Sequence, residues 1–154
     1  MNLNNFTIKS QEVLQKAFSI AAENQHQKIE NGHILKALLS EGENVIVYLL
    51  KKLNVNTSAL EDILKSELDS YPKVSGDVEP YLSNSANKAL RKAMNDSKDQ
   101  GDKFVSVEHM LTGILGAGDN ISQLFKDHGV TEDGLGKAID FFFQAEDGIR
   151  DRCV

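Results

Sequence analysis

One cysteine, two prolines and a shortage of positive charge remove several explanations for this chain before any motif is read. The single Cys153 can form neither an internal disulfide nor a multi-cysteine zinc site, which agrees with a reducing compartment. Lys and Arg number 17 against 23 Asp and Glu, a net charge of -6, and they form no cluster of the kind that phosphate backbones require. No apolar run approaches the roughly 20 residues of a membrane helix. The polar start Met1-Asn2-Leu3-Asn4-Asn5 lacks the charged and apolar regions of a signal peptide. The expectation is a cytoplasmic protein that binds neither nucleic acid nor membrane. A phosphate-cradling Gly-x-x-x-x-Gly-Lys-Ser/Thr loop is also missing from the sequence, so no ATP site and no enzymatic activity are expected of it.

What is present is a helical repeat. Hydrophobic residues make up 40% of the 154, enough for an ordinary core. Shifting the chain by about 76 positions places Ile29 on Val105, His33 on His109, Ile34-Leu35 on Met110-Leu111 and Leu38-Leu39 on Ile114-Leu115. Each copy presents apolar residues at i, i+1, i+4 and i+5, the stripe of one helix face. Glu108 stands in the second copy where the first has Gly32.

Around this twinned helix the periodicity predicts four helices, a linker and four matching helices. Thr7 is the predicted cap of the first helix, which runs to about Asn24; the second starts near Asn31 and stops at Gly42; the third starts at Asn44 and stops at Asn54; Thr57 caps the fourth. Both prolines, Pro72 and Pro80, lie in residues 71–82 with Gly76, where the helical period vanishes. Ser83, Ser106, Asp119 and Thr131 open the second set, with Gly101 and Gly129 at stopping positions. The fold class expected is all-α: two pseudo-symmetric four-helix repeats, about 7–70 and 83–140, packed into one compact helical bundle domain. No stretch asks for a sheet.

Taken in order, Asn5-Phe6-Thr7, the paired helix-two signatures, Tyr71-Pro72-Lys73-Val74-Ser75-Gly76 with Tyr81-Leu82-Ser83, and Gly101-Asp102-Lys103-Phe104-Val105-Ser106-Val107-Glu108-His109 resemble the Clp N-terminal repeat domain. The likeness is nearest to the ClpB (Hsp100) disaggregases and covers residues 1–140. It implies an all-α front module that engages unfolded or aggregated polypeptide weakly and passes it to ATPase rings. ATP and Mg would belong to those ring modules, and no cofactor or metal is expected here. The resemblance further implies an isolated domain that is monomeric within a ring-forming parent. The alternative is an adaptor-docking domain of a ClpC/ClpA-type unfoldase working with a protease. In such relatives paired acids at the two helix starts are associated with phosphoarginine recognition, and Gly32 replaces the first acid here. Thr7, Asp102 and Glu108 match polar positions associated with substrate handling. The implied peptide groove lies against the second repeat, flanked by Leu82, Ala89, Lys92 and His109. Residues 141–154, from Phe141-Phe142-Phe143 onward, resemble translated sequencing-adapter sequence and are set apart as a non-native tail.

Elementary chemistry offers plainer roles for the same residues. His-Glu-x-x-His zinc binding needs two histidines one turn apart, and Glu108-His109 offers one. A shared structural role in the first turn of each copy is therefore expected of His33 and His109, while His26 and His128 read as surface residues at helix ends. The helix dipole stabilises an acid at Glu108 by roughly 0.3–1 kcal/mol, which is a structural reason for its presence. Serines fall at predicted caps, so no Ser-His-Asp nucleophile is assigned.

Overall fold

The computed structural model describes residues 3–41 and 43–145. Eight α-helices follow one another: α1 Ile8–Glu23, α2 Asn31–Glu41, α3 Glu43–Lys52, α4 Thr57–Asp69, α5 Asn84–Asp99, α6 Val107–Leu115, α7 Asn120–Asp127 and α8 Glu132–Ala145. The fold is an all-α bundle, as its periodicity predicts. The linker separates α4 from α5.

The helix ends follow local chemistry that both copies share. Thr7 and Ser83 cap α1 and α5, each hydroxyl accepting the backbone N–H three residues on. Asn54 and Gly129 adopt φ of +63° and +81° after α3 and α7, and Gln25 and Gly101 adopt +59° and +76° after α1 and α5. Asn and Gly tolerate this left-handed conformation; Gln25 adopts it at a steric cost. Two expectations need correction. Asn56, not Thr57, caps α4, because its Oδ1 accepts the Ala59 N–H and leaves Thr57 inside the first turn. The predicted stop at Gly42 lies outside the described residues, and α3 begins at Glu43 rather than Asn44.

The absence of sheet also needs correction. β1 (Lys28–Ile29) and β2 (Tyr81–Leu82) pair in parallel, and Phe6 forms an isolated parallel bridge with Val105. These pairings are reciprocal under the repeat: Phe6 leads into α1 and pairs with Val105 before α6, while Leu82 leads into α5 and pairs with Ile29 before α2. Each half thus donates its lead-in strand to the other half. Short pairings of this kind satisfy the backbone at the helix entrances without any alternating pattern to betray them.

The twinned helices form the centre. α1 lies on α2, α5 lies on α6, and α2 meets α6 across the pseudo-symmetric seam. Ile34, Leu35, Leu38, Met110 and Ile114 are fully excluded from solvent. Each contributes about 2 kcal/mol of apolar burial. Helix α8 continues past the proposed domain end at Asp140: Phe143 is buried, and Phe142 packs on the Tyr48 ring at 5.1 Å. Residues 141–145 are therefore part of the helix.

Candidate functional site

Three places carry the candidate residues: the α1–α6 seam, an apolar groove on α1, and the entrance to α2. At the seam, Thr7 N–H donates to Val105 O (3.0 Å), Ser10 Oγ donates to the same carbonyl (2.9 Å), and Val105 N–H donates to Asn5 O (2.7 Å). Beyond Val105, His109 Nδ1 accepts the Ser106 N–H at 3.0 Å and lies 2.8 Å from Ser106 Oγ. With Nδ1 acting as acceptor, a neutral ring carries its proton on Nε2, which faces Asp102 Oδ2 (3.0 Å) and Gln100 Oε1 (3.1 Å). The row Asp102, His109, Ser106 has the order of a nucleophile relay. The lone pair on Nδ1 is already occupied by the backbone N–H of Ser106, so the row works as a helix cap.

His33 does the same work in the first copy, its Nδ1 accepting the Glu30 N–H at 2.9 Å. The shared first-turn role expected of the two histidines is what the geometry shows. Their second nitrogens differ: His33 Nε2 faces His26 Nδ1 at 2.8 Å instead of a carboxylate. His26 is only 3% exposed, which corrects its reading as a surface residue. It is buried because the linker folds back and lays Tyr71 over both rings, with centroids 5.5 and 5.3 Å away. Burial lowers the pKa of His26, assisted by the nearby Lys73 and opposed by Asp69. Burial, then the neighbouring His26, pushes His33 down to about 4. His128, the other helix-end histidine, is half-buried with Nδ1 3.0 Å from Leu124 O.

The difference between Gly32 and Glu108 has a packing cause. A Cβ on Gly32 would stand 2.6 Å from the Tyr71 hydroxyl and 3.2 Å from Leu68 Cδ2, so a side chain there requires Tyr71 to move. Glu108 is accommodated in its half although it is buried, at 7% exposed; among the described residues its carboxylate makes no hydrogen bond or ion pair. Its place in the first turn of α6 supplies dipole stabilisation.

The apolar groove has a volume of roughly 400 Å3 and is lined by Leu3, Leu14, Phe18, Ile29 and Leu82, with Gln15 and Ser19 as its polar members. Phe18 is 40% exposed at its wall. This groove lies on α1 of the first repeat, whereas the expectation placed a groove against the second. Of the four expected flanking residues, Leu82 alone is on it. Ala89 is buried beneath Gly113, and Lys92 lies across Gly116 with its ammonium 3.5 Å from Glu132 and 3.8 Å from Asp96. His109 is committed to Ser106, Gln100 and Asp102 at the entrance to α6. Leu14 and Phe18 read in the sequence as part of the apolar face of α1, and Ile29 as the lead-in to α2; that Phe18 stands 40% exposed beside Ile29 is decided by the fold, and no sequence signal marks it. Among the described residues no group of three or more His, Cys, Asp or Glu is placed to hold a metal, and no helix is long and apolar enough to cross a membrane.

Comparison with known proteins follows the same outline. Residues 5–128 match the family described as the Clp repeat (R) N-terminal domain. The chaperone protein ClpB of Bacteroides thetaiotaomicron is 44% identical over 139 residues, covering 90% of this chain and 16% of that protein. ClpB of Porphyromonas gingivalis is 39% identical over 140 residues, covering 91% of this chain and again 16% of the relative. The chain thus spans about a sixth of the length of these relatives, and the region matched is their N-terminal domain, not an ATPase module. The Hsp104 N-terminal domain from Candida albicans superposes with a TM-score of 0.77 at 22% identity, covering 90% of this chain and 92% of that one. A ClpV N-domain in complex with a VipB peptide gives 0.73 at 19%, covering 90% and 89%. Those two likenesses carry the fold; the sequence match over most of the chain carries the family, and the chain belongs to the Clp repeat (R) N-terminal domains.

Proposed function

We propose that this domain is the substrate-engaging front module of a ClpB-like disaggregase, docking apolar segments of unfolded or aggregated polypeptide in the α1 groove and passing them to ATPase rings. The observation that carries the reading is the groove itself: five apolar side chains around roughly 400 Å3, with Phe18 exposed at its wall. A related ClpV N-domain solved with a VipB peptide supports peptide docking on this fold. Thr7 holds the seam between α1 and α6, Asp102 and His109 fix the entrance to α6, Glu108 sits at the N-terminal end of its dipole, and Leu82 acts as groove wall; Ala89 and Lys92 support α5. Binding is weak: a patch of about 300 Å2 contributes about 7 kcal/mol, against association costs of about 4 kcal/mol or more. Several copies tethered around a ring would raise the effective concentration without tighter contacts.

Titration of an unstructured apolar polypeptide into isotope-labelled protein tests this. Amides of Leu14–Ser19 and Tyr81–Ser83 are expected to shift, and Phe18→Ser to weaken binding about tenfold without moving the melting temperature. No response at millimolar polypeptide would overturn the reading. Adaptor docking, as in a ClpC/ClpA-type unfoldase, is favoured by a separate observation: Ile8 and Phe104 stand exposed close to the Phe6–Val105 bridge, outside the groove. Shifts confined to those two residues on adding an adaptor would select it.

A further inference from the structure

The linker is tied down along its length. Val74 N–H donates to Gln25 O (2.9 Å), Gln25 Nε2 to Gly76 O (3.3 Å), Gln27 Nε2 to Glu79 O (3.3 Å) and Tyr81 N–H to Gln27 O (3.1 Å). It forms a strap across residues 25–30, anchored by Tyr71 on the two histidine rings and leaving a cavity of about 180 Å3 bordered by His26, Lys28, Glu30, Tyr71, Pro72 and Val74.

The histidine pair allows one arrangement of protons. His33 Nδ1 is an acceptor for the Glu30 N–H, so its proton sits on Nε2 and donates to His26 Nδ1; neutral His26 must then be protonated on Nε2. That Nε2 is buried with no hydrogen-bond partner among the described residues. One added proton breaks the row. Placed on His26 Nδ1 it sets two donors 2.8 Å apart, and turning His33 to relieve them sacrifices the Glu30 N–H bond. The unpartnered Nε2 and the left-handed Gln25 (φ +59°) already raise the free energy of the strapped state.

We propose that residues Tyr71–Gly76 are a proton-released strap: held down while His26 and His33 are neutral, and freed when the pair takes up a proton. The surroundings favour release. Lys73 and Asp69 act on His26; Glu67, Glu30 and Asp119 act on Tyr71; Lys28 and Glu30 border the cavity. At His26 the ammonium of Lys73 outweighs the carboxylate of Asp69, so a cation is disfavoured while the strap is down and is stabilised by the water that opening admits. The sign is settled by burial, which holds both histidines below their ordinary value while strapped, His33 at about 4. Released rings regain an ordinary pKa of about 6.5, so release is favoured as pH falls from about 6.5 toward 4. The strap runs on into β2, whose Leu82 walls the groove. Resting on the docking role proposed above, strap release is a regulator of that groove, loosening its wall in acid.

Hydrogen exchange of the whole chain between pH 7.5 and 4.5, corrected for intrinsic rates, tests the strap without any ligand. Protection of the Val74 and Tyr81 amides is expected to fall at least about tenfold, more than protection of Ile114 in the core. The double variant His26→Phe/His33→Gln keeps a ring against Tyr71 and a side-chain acceptor for the Glu30 N–H, and its Val74 and Tyr81 protection is expected to ignore pH. Unchanged protection in the unsubstituted chain, an equal loss at Ile114, or the same pH response in the double variant would each overturn the proposal. Should the variant not fold, the unsubstituted chain alone decides. Polypeptide binding at the two pH values then reports on the groove: a strap that opens without affecting binding refutes the regulation and leaves the strap, while binding absent at both refutes the docking role.

Discussion

His33 and His109 hold the same first-turn position and accept the same backbone bond, yet their outer nitrogens meet another histidine in one half and a carboxylate in the other. Symmetry at the inner nitrogen belongs to the repeat, and asymmetry at the outer one belongs to what the neighbouring loop supplies. The same logic explains position 32. Gly32 exists as glycine because the Tyr71 hydroxyl occupies the space of a side chain. Replacing it with the acid of its twin, Gly32→Glu, is expected to displace Tyr71 and cost about 2 kcal/mol, measured by urea denaturation at pH 7. Stability equal to that of the unsubstituted chain would show that Tyr71 yields freely and that the entrance to α2 is not closed by packing.

At the scale of the helices, α5 and α6 approach so closely that a Cβ on Gly113 would fall onto the Ala89 carbonyl oxygen, and also lie 3.3 Å from the Ala93 backbone nitrogen. Neither obstacle is a flexible side chain, so the helices must separate. Gly113→Ala is therefore expected to destabilise the domain by about 3 kcal/mol, even though alanine favours helix, and a drop in melting temperature checks it. A rise in stability would place helix propensity above contact. The capping residues of α1, α5, α7 and α8 were legible because a side-chain oxygen that accepts a free N–H three residues on is a local matter; at α6 the Ser106 side chain makes no cap hydrogen bond, and the His109 ring takes the Ser106 N–H instead. The mistake at Thr57 was local as well: Asn56 and Thr57 are both good caps, and neither residue type decides which one takes the extended backbone.

For the whole molecule, reciprocal pairing of Phe6 with Val105 and of Leu82 with Ile29 makes the halves interdependent, because each lead-in strand is held by the other repeat. The far end of α8 adds to this. Phe143 is buried and Phe142 lies on Tyr48 of α3, while Lys52 sits over the Phe141 ring at 4.1 Å. Ending the chain after Asp140 is expected to lower unfolding free energy by about 3 kcal/mol. Equal denaturation midpoints for the shortened and full chains would show that the aromatic end of α8 is dispensable.

The sequence by itself determined the helical class, the two repeats, their order and the family, because helical period and turn chemistry act over a few residues and recur at fixed spacing. It also placed Glu108, His33 and His109 in the first turns of their helices and Thr7 at the cap of α1. The groove, the buried histidine pair and the strand exchange came only with tertiary structure. Leu14 and Phe18 share a helix, but Ile29 and Leu82 reach the same wall solely because β1 and β2 pair across 53 positions. His26 looked like a helix end in contact with water, and only the linker's return over it removed the water. Contacts between segments far apart in the chain follow from how whole faces pack, and no local pattern records them.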